Sequence, residues 1–238
     1  MTSRDNLPII GITGPKGANY QEKLNFIAEK IRYAGGIPQI ISWETPIDPC
    51  TIGQFIDGWV IAGGADVPAE VYGETRRADR LYVLTARFNF EKELYKIFNN
   101  SYPQKPILGI CYGMQALNVF AGGKLGFVDQ QVHHNNHDND TINEFMVNKD
   151  SLLNKIMINA GDNSLSLHGK CNHGQCLTTL GTDFTISSYH DNIIGSIEKN
   201  VNGRWIVGTQ WHPERTEGNE GTNIQIFKDL INKAKVTC

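Results

Sequence analysis

Cys111 stands in the stretch Gly109-Ile110-Cys111-Tyr112-Gly113, with a glycine two residues before it and another two residues after. The apolar run Pro106–Ile110 leads in, and the helix-like run Met114–Phe120 leads out. A small-x-nucleophile-x-small pattern between a strand and a helix is the signature of a nucleophile elbow. The glycines belong there because a Cβ at either flank would collide with the neighbouring strand or helix. The sulfur is then set at a helix N-terminus, where unpaired N–H groups and the helix dipole favour a thiolate.

A nucleophile of this kind needs a base, and the base needs an orienting group. Of the seven histidines, His212 has the right surroundings, in Thr209-Gln210-Trp211-His212-Pro213-Glu214 after an apolar run. Pro213 disfavours helical geometry at His212, so an extended segment is expected. There, residues i and i+2 point to the same side. Glu214 would then hold one ring nitrogen while the other faces the thiol. That is the logic of a Cys-His-Glu triad, in which Glu orients, His moves the proton and Cys attacks. The remaining requirement is a pair of N–H donors for a developing oxyanion. Ala62-Gly63-Gly64-Ala65-Asp66 closes a strand-like run, and a glycine there lets a backbone N–H approach a substrate oxygen. The N–H of Tyr112, just past the nucleophile, is the second candidate donor.

These residues need a scaffold, and the first half of the chain describes one. Pro8–Ile12, Pro38–Ile41, Gly58–Ile61 and Pro106–Ile110 read as buried strands. Tyr20, Leu24, Ile27 and Ile31 recur at helical spacing over roughly residues 19–34, and Phe90, Leu94, Ile97 and Phe98 mark another helix. Alternating strands and helices predict an open, mostly parallel sheet with helices on both faces. Ligands in such sheets bind at the carboxyl ends of the strands, where Cys111 and Gly63-Gly64 both fall. The second half differs. Phe184–Tyr189, Ile193–Glu198 and Trp205–Gln210 read as strands without helices between them, and Asn202-Gly203 is a hairpin signal. An antiparallel C-terminal section is therefore expected, then a last helix carrying Ile224, Phe227, Leu230 and Ile231. No linker or internal repeat interrupts the pattern, so residues 1–238 read as one domain. Residues 65–86 and 126–143 read as long loops.

Composition excludes several alternatives. A net charge of −3 gives no support to a nucleic-acid or membrane-surface role. No apolar run reaches the roughly 18 residues that span a bilayer. Five irregularly spaced cysteines and the absence of a secretory signal pattern fit a reducing cytoplasm. Cys171 and Cys176 have the spacing of half a metal site, but no second half follows, and no metal or other cofactor is expected. His133, His134 and His137 lie in a polar stretch that reads as a solvated loop. Asp66 and Glu74 are candidates for a substrate ammonium. Arg76, Arg77 and Arg80 are candidates for a substrate carboxylate, beside the plainer reading of a solvated charge run. His168 reads as incidental.

Gly-Ile-Cys-Tyr-Gly-Met-Gln at 109–115 with Gln-Trp-His-Pro-Glu at 210–214 resembles the class I glutamine amidotransferase superfamily. The resemblance covers roughly residues 7–231. Gly63-Gly64-Ala65-Asp66-Val67-Pro68, Val71-Tyr72-Gly73-Glu74, Ala34–Pro38 and Asn172-His173-Gly174-Gln175 are similar to its gamma-glutamyl-gamma-aminobutyrate hydrolase (peptidase-like) branch. The resemblance implies a flavodoxin-like fold and a catalytic triad of Cys111, His212 and Glu214. It places the oxyanion donors at Gly64 and Tyr112, and Gly63, Gln115 and His173 at the substrate. It implies hydrolysis of small gamma-glutamyl compounds through a thioester, without metal or synthase partner; a homodimer is compatible with such folds. Tyr112-Gly113-Met114-Gln115 is closer to ammonia-delivering amidotransferases, so a glutaminase subunit serving a separate synthetase is the alternative. A non-catalytic binding protein on the same fold is the third reading.

Overall fold

The computed structural model describes residues 7–44, 47–128, 141–215 and 220–236. Its first half alternates as expected: β1 (Ile9–Thr13), α1 (Ala18–Tyr33), β2 (Ile37–Ile41), α2 (Pro49–Phe55), β3 (Gly58–Ile61), α3 (Thr85–Ser101), β4 (Ile107–Ile110) and α4 (Tyr112–Phe120). The rest follows as β5 (Lys124–Phe127), β6 (Thr141–Val147), α5 (Leu152–Asn159), β7 (Ser166–Cys171), β8 (Gln175–Thr179), β9 (Thr185–His190), β10 (Ile193–Lys199), β11 (Ile206–Thr209) and α6 (Gly221–Lys235).

Nine strands form one sheet in the order β2-β1-β3-β4-β11-β10-β9-β6-β7, and β5 pairs with β8 in a small second sheet. From β2 to β11 neighbours run parallel. From β11 to β7 they run antiparallel. The open, mostly parallel sheet with a later antiparallel section is therefore what the chain adopts. Asn202 and Gly203 both have positive φ, at 55° and 78°. The turn they make is closed by the Arg204 N–H donating to Val201 O at 3.1 Å. It sits inside a six-residue connection from β10 to β11 rather than forming a minimal two-residue hairpin.

Strand alternation distributes the core to the two faces of the sheet. Ile10, Ile12, Val60, Leu108, Ile110 and Val207 pack on one side with buried residues of α1, α5 and α6. Trp59, Ile61, Ile107 and Ile206 pack on the other with residues of α2, α3 and α4. In α1 the buried stripe is Leu24, Ile27 and Ile31, at the spacing one helix face requires. The start of α5 is fixed twice. Ser151 Oγ accepts the Asn154 N–H, and the Glu198 carboxylate accepts the N–H groups of Leu152 and Leu153. Both satisfy donors that a helix N-terminus leaves open.

The segment from 65 to 86 is more ordered than its sequence suggests. It contains a 3-10 turn at Ala69–Tyr72 and a parallel bridge between Asp66 and Tyr82. The side-chain amide of buried Gln175 closes it onto β8, accepting from Val67 N–H at 2.8 Å and donating to Val67 O and Tyr72 Oη. Of the stretch 126–143, the described ends belong to β5 and β6. His133, His134 and His137 lie outside the described residues. Among the described residues no helix is long and apolar enough to cross a membrane.

Candidate active site

Cys111 ends β4 and caps α4 with φ 52° and ψ −105°, a conformation rare for a residue with a side chain. Such strain persists only where the surroundings enforce it. Here the Cys111 N–H donates to Thr209 O at 2.7 Å, and its carbonyl accepts from the Gln115 N–H at 3.2 Å. The flanking glycines make the turn sterically possible. A Cβ on Gly113 would run into the carbonyl oxygen of Ile61 on β3, and one on Gly109 would lie 2.6 Å from the Gly113 carbonyl carbon. Helix α4 therefore starts tight against the sheet with the sulfur at its N-terminus.

His212 follows β11, the parallel neighbour of β4. Its N–H donates to Lys170 O at 2.8 Å. The Nδ1–H donates to Glu214 Oε1 at 2.7 Å, with both side chains buried. Glu214 arrives by a route the sequence reading did not anticipate. Residues Pro213–Arg215 form a 3-10 turn rather than an extended segment, and the tight turn brings the carboxylate back to the ring. Burial by itself lowers the basicity of His212. The Glu214 carboxylate and the neighbouring Cys111 sulfur outweigh it and raise the ring to about 9. Burial works against the Glu214 carboxylate too, but His212 holds it below its ordinary value. Near neutral pH the pair is thus an imidazolium and a carboxylate.

That pairing predicts a pH window for stability. The raised His212 contributes fully below its unfolded value near 6.5, and the contribution fades as pH rises through about 9. The lowered Glu214 contributes above its unfolded value near 4.5 and fades as pH falls through its depressed folded value. The stability difference between wild type and His212→Gln, followed by thermal denaturation against pH, should be largest between these limits. It should shrink on both sides. A difference independent of pH from 4 to 10 would show that folding leaves the proton affinity of the ring unchanged.

Gly63 and Gly64 leave β3 beside this pair. A Cβ on Gly63 would lie 2.8 Å from His212 Cε1, so the glycine backbone packs directly on the imidazole. Gln210 Nε2 lies 3.6 Å from Cys111 Sγ, and the Asn172 carbonyl lies 3.8 Å from it. A cavity of about 360 Å³ opens over the sulfur. Small-molecule sites commonly span roughly 300–1,000 Å³. Its lining includes Pro15, Tyr20, Lys23, Leu24 and Ile27 from the first part of the chain, together with Asp66, Arg80, Asn172, His173 and Gly174.

The structure brings Cys111, His212, Glu214, Gly63, Gly64, Gln115 and His173 to this one cavity. Gln115 donates from Nε2 to Gln175 O at 2.8 Å and to Gln210 Oε1 at 3.2 Å. His173 Nδ1 lies 3.0 Å from Gln175 O. Tyr112 is fully buried beneath the site rather than lining it, so only its backbone N–H is a candidate contact. Of the three arginines, Arg76 pairs with Glu70 and Arg77 with Asp79 at the surface. Arg80 alone lines the cavity, 3.9 Å from Asp66 and donating to Gly174 O at 3.0 Å. Glu74 is exposed, and His168 lies on the antiparallel edge strand β7. Among the described residues no group of three His, Cys, Asp or Glu side chains is arranged to hold a metal ion.

One constellation escaped the sequence reading. On α3, Arg87 and Glu91 form a fully buried ion pair at 2.9 Å. The Arg87 guanidinium donates to Ala62 O at 2.7 Å and Gly63 O at 3.4 Å, and lies 4.2 Å from the centroid of the Tyr112 ring. Tyr112 Oη donates to Glu91 Oε2 at 2.9 Å, and burial keeps this phenol protonated far into the alkaline range. The available signal was a charged i, i+4 pair in register with the buried positions Phe88, Leu94, Tyr95 and Phe98.

A family model described as Peptidase C26 matches residues 8–214. Protein NtpR of Enterococcus hirae is 27% identical to this chain, over 95% of the chain and 99% of its own length. The glutamine amidotransferase-like protein YvdE of Lactococcus lactis is 30% identical, over 74% of each. A solved structure from Thermoplasma acidophilum superposes with a TM-score of 0.67 at 18% identity, covering 96% of this chain and 94% of that one, a likeness of fold.

Proposed function

Because the chain belongs to the Peptidase C26 family of class I glutamine amidotransferase-like proteins, we propose that it is a cysteine hydrolase of small gamma-glutamyl compounds. The observation that carries this reading is the buried His212–Glu214 contact at 2.7 Å beside Cys111, at the floor of a cavity that the Gly63-Gly64 strand end also lines. In the proposed sequence the Cys111 thiolate attacks the γ-carbonyl carbon. The oxyanion is met by the N–H groups of Gly64 and Tyr112. The carbon–nitrogen bond breaks as His212 gives its proton to the leaving amine. A γ-glutamyl thioester remains. Water, deprotonated by His212, attacks it and releases glutamate with return of the thiol. Glu214 keeps the ring oriented and stabilises its cationic form. No metal or other cofactor enters any step.

The cavity favours an amine larger than ammonia. Besides Cys111, its lining includes Arg215 and, on α1, Tyr20 and Lys23, which gives a leaving group somewhere to sit. Against this stands Tyr112-Gly113-Met114-Gln115, whose resemblance to ammonia-delivering amidotransferases supports the second reading, a glutaminase subunit feeding a separate synthetase. A panel of glutamine and γ-glutamyl amines separates the two. We expect kcat/KM for the best γ-glutamyl amine to exceed that for glutamine by about 10-fold or more, the scale on which a pocket discriminates by filling apolar space. A preference for glutamine would overturn the hydrolase reading in favour of ammonia supply.

A further inference from the structure

The two proposed oxyanion donors are far apart in sequence, yet both are connected to one buried side chain. We infer that Arg87 is a positioning residue that sets the direction of the Gly63–Gly64 peptide, and so aims the Gly64 N–H at the oxyanion. This rests on the hydrolase reading for its functional consequence, though not for its geometry.

In a trans peptide the C=O of one residue and the N–H of the next point in opposite directions. The Gly63 carbonyl and the Gly64 N–H belong to the same peptide. Glycine on both sides leaves that peptide little intrinsic preference between the two orientations. Arg87 supplies the preference. Its Nη1 lies 3.4 Å from Gly63 O and its Nη2 lies 2.7 Å from Ala62 O, so two successive carbonyls face the guanidinium. With the carbonyl held toward α3, the Gly64 N–H is turned away from α3. A Cβ on Gly64 would lie 2.6 Å from Arg87 Nη1, so the guanidinium is packed directly behind this residue.

Arg87 is itself held in place. Glu91 takes its Nε at 2.9 Å, and the Tyr112 ring lies against its face. Tyr112 Oη completes the circuit to Glu91 at 2.9 Å. The second proposed donor, the Tyr112 N–H, is thus carried by a residue whose side chain is part of the same network. A lysine at position 87 would lack the planar fork that spans two carbonyls while pairing with a carboxylate.

The test is the double variant Arg87→Met/Glu91→Gln, which removes both charges and so leaves neither buried alone. Turnover of a γ-glutamyl amide needs an oxyanion hole, whereas alkylation of Cys111 by iodoacetamide is a direct displacement that does not. We expect kcat to fall by about 10²–10³-fold, the usual effect of losing one oxyanion donor, with KM little changed. The alkylation rate should match wild type. Crystal structures of the two proteins should show the Gly63–Gly64 peptide rotated in the variant. Wild-type kcat in the variant would overturn the inference, as would loss of alkylation in parallel with kcat, since that points to general disruption. Should the double variant not fold, Arg87→Lys retains the buried charge and is read the same way, with an expected kcat loss of about 10-fold and unchanged alkylation. If wild type cleaves neither γ-glutamyl amines nor glutamine, the hydrolase reading fails. The peptide orientation in the paired structures then still decides the role of Arg87.

Discussion

Cys111→Ala should lower turnover of γ-glutamyl amides by roughly 10⁶-fold, to the background set by binding and the oxyanion donors, while leaving the protein folded. The magnitude follows from how nucleophile and base act as a unit, so that losing either removes nearly all of the chemistry. The fold should survive because alanine removes only the sulfur, which borders the cavity, and the backbone contacts of the turn, Cys111 N–H to Thr209 O and Gln115 N–H to Cys111 O, remain. Steady-state assays with circular dichroism of the variant check both halves. Turnover within 100-fold of wild type would remove Cys111 from the mechanism and bring back the non-catalytic reading.

Gly113→Ala tests the turn rather than the sulfur, and its expected result is loss of stability. The methyl group would meet the Ile61 carbonyl oxygen, which belongs to the fully buried strand β3 and cannot rotate aside as a side chain would. Overpacking in a well-filled core costs about 1–3 kcal/mol, and a backbone obstacle puts this position at the upper end. For a protein of this size about 3 kcal/mol corresponds to a fall in Tm of roughly 6–12 °C. Calorimetry reads the shift directly. A Tm within about 2 °C of wild type would mean that α4 does not start this close to β3.

The parallel half of the fold was legible because its determinants are local. Buried strands show as short apolar runs, and α1 and α3 show as stripes at helical spacing. Much of the second half was not. In β6, Thr141, Ile142, Asn143 and Glu144 are exposed or half-buried while Phe145 and Val147 are buried, too short an apolar alternation to stand out. In β7, Leu167, Gly169 and Cys171 are the buried positions, and two of those three residue types carry no strong strand signal. Cys111 and His212 stood out in the sequence because each carries a turn requirement that its neighbours record: glycines around Cys111, proline after His212. The path to Glu214 was misjudged because proline excludes helix before itself but not a 3-10 turn beginning with it. The i, i+4 spacing of Arg87 and Glu91 marks them as a pair, but neither they nor Gln175 carry a local sign of what else they hold. Their partners are backbone carbonyls, an N–H and a phenol as much as 108 residues distant, and nothing near them in sequence records those contacts.

The position of β11 has a consequence for how the protein comes into being. It is the last strand in sequence yet lies between β4 and β10, near the middle of the nine-stranded sheet. During synthesis β4 and the elbow emerge almost a hundred residues before the strand that must pair with them and bring His212. The growing chain therefore carries Cys111 through a long stretch of its synthesis without His212, and without the Thr209 carbonyl that anchors the strained turn. Contacts of such sequence separation form late, because the loop they close costs entropy that is recovered only when they are made. On the proposed mechanism a nascent or truncated chain ending before β11 does not turn over substrate, and Cys111 becomes competent only when the sheet itself is complete.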